Sequence, residues 1–214
     1  MKQFLLLTLT IVNILGLSQV KAEESARFRI TFTGNFTMEN FTNEMFPSNP
    51  HFSPLVIASH SAAYSMFTEG TLATTGVKNV AETGNPTELL NELSDQEANG
   101  HVFEKTRTAG LSETEVATAE ITVSREFPLI SFITMIAPSP DWIVGKSAFS
   151  LLKGEKFIEK ISFPLYAIDA GTDDGKYYTS RNAPSSNPFS ISLLRDVSGL
   201  PIANPFATIV IEKI

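Results

Sequence analysis

Hydrophobic and polar residues alternate strictly along Arg27-Phe28-Arg29-Ile30-Thr31-Phe32-Thr33, with Phe and Ile on one side and Arg or Thr on the other. A period of two belongs to a strand with one buried face, so this segment is predicted to lie in the wall of a sheet. Ala119, Ile121 and Val123 alternate with Glu120, Thr122 and Ser124 in the same way. Leu129 to Ile136 differs, being apolar on both faces, the pattern of a central strand covered on both sides. A short strand within His51 to His60, another over Ile158 to Ile168 and a closing one over Phe206 to Ile214 complete the strongest signals. Asn85-Pro86 followed by Leu89, Leu90 and Leu93 on one face predicts a single short helix, capped by Asn85 with Pro86 in its first turn, against a sheet edge. Gln96 to Glu115 is polar and reads as an exposed connection. About eight strands, one short helix and frequent Gly and Pro turns define an all-β fold, an antiparallel β-sandwich in one domain.

Residues 1–22 stand apart from that fold. Lys2, an apolar run from Phe4 to Leu17 and Val20-Lys21-Ala22 form the pattern of a secretory signal peptide cleaved before Glu23, leaving 23–214 as the folded domain. A membrane anchor is the competing reading, but the run is broken by Thr8, Thr10 and Asn13 and falls short of the roughly 20 residues a spanning helix needs. Export leads to the periplasm, the cell surface or the outside. Two Asn-Phe-Thr triplets, at Asn35 and Asn40, match a glycosylation sequon and read equally as polar residues along a strand and turn.

Charge and cysteine narrow the function classes. Loss of Lys2 and Lys21 with the signal leaves 14 basic against 23 acidic residues, a formal charge of −9. That surface repels nucleic acid and anionic lipid and tolerates cations. The chain has no cysteine, which excludes disulfides, thiolate metal sites and cysteine redox chemistry.

Two stretches concentrate the candidate chemistry: Pro138-Ser139-Pro140-Asp141-Trp142-Ile143-Val144-Gly145 and Asp169-Ala170-Gly171-Thr172-Asp173-Asp174-Gly175. Each follows an apolar strand, and together they read as two sides of one cation site, hard oxygen ligands being those calcium takes. The alternative is that Asp and Gly serve as ordinary turn residues. An EF-hand is excluded, because counting from Asp169 puts Gly171 third, Asp174 sixth and Ser180 twelfth. Trp142 reads as packing beneath the Asp141 loop, and His60 as a hydrogen-bonded structural residue. His51, His60 and His101 show no zinc-binding spacing. There is no G-x-S-x-G elbow, and Gly145-Lys146-Ser147 imitates a phosphate loop only until Pro140, where that motif needs its first glycine.

These residues carry a resemblance to the spondin domain of extracellular matrix proteins of the F-spondin and mindin kind. It rests on the two stretches above together with Phe52-Ser53-Pro54-Leu55, Ser59-His60, Gly70, Ala73, Gly76, Ala81-Glu82-Thr83-Gly84 and Ile209 to Ile214, in the family's order. The resemblance implies a C2-like β-sandwich that binds calcium through loop carboxylates, here Asp141, Asp169 and Asp173; Asp174, outside that set, reads as a further ligand or as a solvated neighbour. It implies an adhesion or binding module with an extracellular or cell-surface protein or glycan partner. The chain lacks the matrix proteins' cysteines and following repeats. Two other functions use the same end of the fold: a secreted metal-dependent hydrolase, for which no dedicated histidine stands out, and C2-like membrane docking, which the acidic surroundings disfavour.

Overall fold

The computed structural model describes residues 24–39, 46–194 and 204–214. Residues 1–22, expected to form a signal peptide, and the triplet at Asn40 lie outside them. In the other triplet, Asn35 is half-buried and its Nδ2 donates to the Pro205 carbonyl at 3.0 Å, so this amide serves the fold.

In chain order the elements are β1 (Ser25–Gly34), β2 (His51–Phe52), β3 (Val56–His60), α1 (Thr75–Thr83), α2 (Thr87–Ala98), β4 (Val102–Arg107), β5 (Leu111–Ser112), β6 (Val116–Ser124), β7 (Leu129–Ala137) and β8 (Trp142–Ser150). They are followed by β9 (Leu152–Lys153), β10 (Lys156–Phe157), β11 (Lys160–Leu165), β12 (Ile168–Asp169), β13 (Ser192–Leu193) and β14 (Ala207–Lys213). Among the described residues eight strands reach five residues or more; of the two-residue strands, β9 and β10 pair with each other alone and the rest join the larger sheets.

All strand pairs are antiparallel. One sheet runs β11-β14-β1-β6. The other runs β13-β12-β8-β7, and beyond β7 it divides: β3 pairs along Leu129 to Ile133 and carries β4, while β2 pairs at Ile136 and Ala137 and carries β5. Phe28, Ile30, Phe32, Ile121, Phe132, Val144 and Ile209 fill the space between the two sheets. Each such side chain removed from water contributes about 1.5–3 kcal/mol.

The double-sided apolar pattern of β7 has a structural cause. Ile130, Phe132 and Ile136 enter the core between the sheets, whereas Ile133 enters a second core beneath the helices, with Val77, Val80, Leu89 and Leu93. The sheet containing β7 is therefore buried on both faces, as its sequence requires.

Three expectations are corrected. A second helix, α1, precedes the expected one, started by Thr74, whose Oγ1 accepts from Val77 N at 3.2 Å, and stopped by Gly84 at φ 67°. The stretch from Gln96 to Glu115 contains the edge strand β4, in which Val102 alone is buried and Phe103 stands exposed beside polar residues. Ile158 to Ile168 is not one strand: β11 pairs with β14 in the first sheet and β12 with β8 in the second, so the chain crosses between layers at Tyr166 and Ala167. The expected helix cap holds in substance, because Asn85 Oδ1 accepts from Thr87 N at 2.9 Å as α2 begins.

Candidate functional site

The two aspartate stretches are 28 positions apart in sequence and adjacent in space because β12 pairs with the start of β8. In that register Asp169 faces Trp142 and Ile168 faces Ile143. Ser139 Oγ accepts from Trp142 N at 3.0 Å and closes the turn that leads Asp141 into β8. Trp142 is fully buried and meets Tyr178 edge-on at 5.2 Å, so it is the packed floor of the loop and not an exposed recognition residue.

Beyond β12 the chain folds over Asp141. Ala170 N donates to the Asp141 carbonyl at 3.2 Å. Asp169 Oδ1 accepts from Gly171 N at 2.8 Å, and Gly171 takes φ 73° with its α-carbon pressed against Phe189, where a Cβ would lie 2.1 Å from the Phe189 carbonyl oxygen. That left-handed turn aims the next two amides inward. Asp141 Oδ2 accepts from Thr172 N at 2.6 Å, Asp173 N at 3.1 Å and Thr172 Oγ1 at 3.3 Å. Asp173 spends Oδ1 on Gly175 N at 2.8 Å and Oδ2 on Ala183 N at 2.7 Å, tying a third segment to the site.

Electrostatics follow from that burial. Asp141 is fully buried, and its Oδ1 has no hydrogen-bond partner. Burial raises its pKa to about 6, and the Asp169 charge adds to the rise against the lowering effect of the Thr172 and Asp173 hydrogen bonds. Burial also raises the pKa of Asp169, with the Asp173 charge adding and the Gly171 amide opposing. A cleft of about 350 Å³ opens beside them, lined by Trp142, Asp169, Asp173, Asp174, Lys176 and Phe189.

All three expected ligands thus meet at one end of the sandwich, with Asp174 exposed at the cleft. They differ in what they have left to offer: Asp173 has both oxygens on backbone amides, while Asp141 keeps one buried oxygen unused. Among the described residues no three His, Asp or Glu side chains are gathered as a metal-holding group. The chemistry of the donors nevertheless suits a hard cation, since an orphaned buried carboxylate oxygen beside a second carboxylate is a place where positive charge relieves both desolvation and repulsion. Sequence reading overlooked the aromatics of this end: Phe189 and Tyr177, 44% and 41% exposed, stand out as bulky rings within otherwise polar loops.

His60 lies elsewhere, fully buried and hydrogen-bonded through both ring nitrogens, to the Ser61 carbonyl at 2.8 Å and to Ser131 Oγ at 2.7 Å. Burial lowers its pKa, so it is a neutral structural residue.

An antiparallel β-sandwich with an aspartate-lined cleft at one end is the class that fold and site define. The Spondin_N family model matches residues 26–211, which include both sheets and both aspartate stretches, and the chain belongs to that family. It is 32% identical to Spondin-2 of Homo sapiens over 198 residues, 89% of this chain and 59% of that protein. It is 35% identical to Spondin-1 of Gallus gallus over 167 residues, 75% of this chain and 21% of that protein. The chain therefore spans less than two thirds of the length of these relatives.

Proposed function

We propose that this chain is an exported, calcium-binding module for adhesion, holding the ion at the Asp141 and Asp169 end of the sandwich and presenting the loops there to an extracellular protein or glycan. The observation that carries the reading is Asp141 Oδ1, buried without a partner beside the Asp169 carboxylate. Asp141 and Asp169 would hold the ion, and Asp174, exposed at the cleft, would add an oxygen. Asp173 acts as a positioning residue, fastening the loop through its two amide contacts. Calcium supplies charge neutralisation at this point, which ties the two aspartate stretches into one rigid end.

Membership of the spondin family supports an extracellular setting. Among the described residues no helix is long and apolar enough to cross a membrane. Tyr177 and Phe189 give the aspartate end exposed aromatic surface of the kind enriched at protein interfaces.

Cell attachment to surfaces coated with the mature chain tests the proposal. Attachment is expected in calcium, with loss on chelation and in Phe189→Ser, whose side chain is at the surface. Attachment that is absent in calcium, or indifferent to both changes, contradicts it.

A further inference from the structure

A second cleft, of about 670 Å³, opens where β11 and β12 leave for different sheets, and it shares no lining residue with the aspartate cleft. Its size is that of a small-molecule site. Its lining includes Phe67, Phe149, Phe163 and Leu193, with the Phe149 and Phe163 rings 5.3 Å apart. The same lining includes Ser65, Thr68, Ser147 and Lys146.

Behind the cleft His60 fixes the Ser131 hydroxyl, which lies 3.3 Å from Ser147 Oγ. The Ser61 carbonyl can only accept, so His60 Nδ1 carries the ring hydrogen, and Nε2 of the neutral ring accepts from Ser131 Oγ. Ser131 Oγ in turn accepts from Ala148 N at 2.9 Å. Ser65 Oγ donates to the Phe67 carbonyl at 3.0 Å. Ser147 Oγ accepts from Phe67 N at 3.3 Å and keeps its own hydrogen for other hydroxyls, Ser65 at 2.9 Å or Ser131 at 3.3 Å. Thr68 Oγ1 lies 3.2 Å from Ser65 Oγ and is in the same position. Lys146 has no ion pair among the described residues. The cleft therefore carries positive charge together with hydroxyls whose hydrogens can turn from one another to an acceptor on a ligand. Glu69 also lines it, exposed to solvent, which screens its effect on an anion that contacts Lys146 directly.

We propose that this cleft binds a small carboxylic acid with an apolar aryl or alkyl body, the body against Phe67, Phe149 and Phe163 and the carboxylate toward Lys146 Nζ and the Ser147 hydroxyl. The site is independent of the aspartate end and requires no metal.

Calorimetric titration of the mature chain with 3-phenylpropionate and with 3-phenylpropan-1-ol separates body from head, since the two probes differ only at the end. The acid is expected to bind saturably and roughly tenfold more tightly than the alcohol, the effect of one charge-assisted contact. Lys146→Met should bring the acid down to the alcohol's affinity, and Glu69→Gln should tighten the acid. Both side chains are exposed, so neither change threatens the fold. Absence of saturable acid binding, equal binding of acid and alcohol by the parent chain, or an acid advantage that survives Lys146→Met overturns the proposal.

Discussion

Asp141 makes the aspartate end sensitive to pH, with a sign opposite to that of a salt-bridged carboxylate. Its pKa in the fold is raised to about 6 from the ordinary 3.8, by burial first and by Asp169 second. Below 3.8 the carboxyl is protonated in both folded and unfolded chains. Between 3.8 and about 6 the folded chain holds the proton more tightly, so stability falls as pH rises through that window. The metal-free protein is expected to lose roughly 3 kcal/mol from this group across it, because each tenfold tighter hold on the proton is worth about 1.4 kcal/mol. The raised pKa of Asp169 acts in the same direction. Urea unfolding in chelator from pH 3.5 to 7 measures the loss, and Asp141→Asn should flatten the profile. A parent chain equally stable across the window contradicts the assignment. At Gly171 the demand is steric: φ is 73° and a Cβ would stand 2.1 Å from a carbonyl oxygen, so Gly171→Ala should cost at least about 2 kcal/mol in the same unfolding assay.

At the scale of elements, the two helices pack through Val77, Val80, Leu89 and Leu93 and are also joined by one carboxylate. Glu92 of α2 accepts from Gly76 N at 2.7 Å through Oε1 and from Thr74 Oγ1 at 2.8 Å through Oε2, capping the start of α1 from outside. Glu92→Ala is expected to destabilise the chain by about 1–2 kcal/mol, the range for loss of a helix cap, read as a lowered urea midpoint with an unchanged slope. This contact also explains why α1 is hard to read from sequence. Gly76 is a poor helix former, yet a Cβ there would lie 2.6 Å from Leu89 Cα, so close approach of the helices overrides propensity. Val77, Val80 and Ala81 do fall on one helical face, a signal masked by their Gly and Thr neighbours. β4 escapes detection for a different reason, since an edge strand with one buried position, Val102, has too little alternation to reveal itself. By contrast β1, β6, β7 and β14 are legible because each buries a regular face in a core. The pairing of β8 with β12 that unites the aspartates is long-range and leaves only the motifs themselves as its trace.

For the molecule as a whole, the architecture is a sandwich with a helical cover on one sheet, and two cores sharing that sheet hold a chain that has no disulfide. The sandwich core is continuous up to Trp142 and Tyr178, so the aspartate end sits directly on that core. A cation bound there, as proposed, would stabilise the domain as a whole. Thermal unfolding of the mature chain at pH 7, in calcium and in chelator, tests this most directly. Calcium at about 100 times its dissociation constant should add roughly 2.7 kcal/mol to the parent, and Asp141→Asn and Asp169→Asn should lose most of that gain while remaining folded. A parent chain that unfolds at the same temperature with calcium and with chelator would show that the buried Asp141 oxygen and its neighbours form a loop without a metal, contradicting the account.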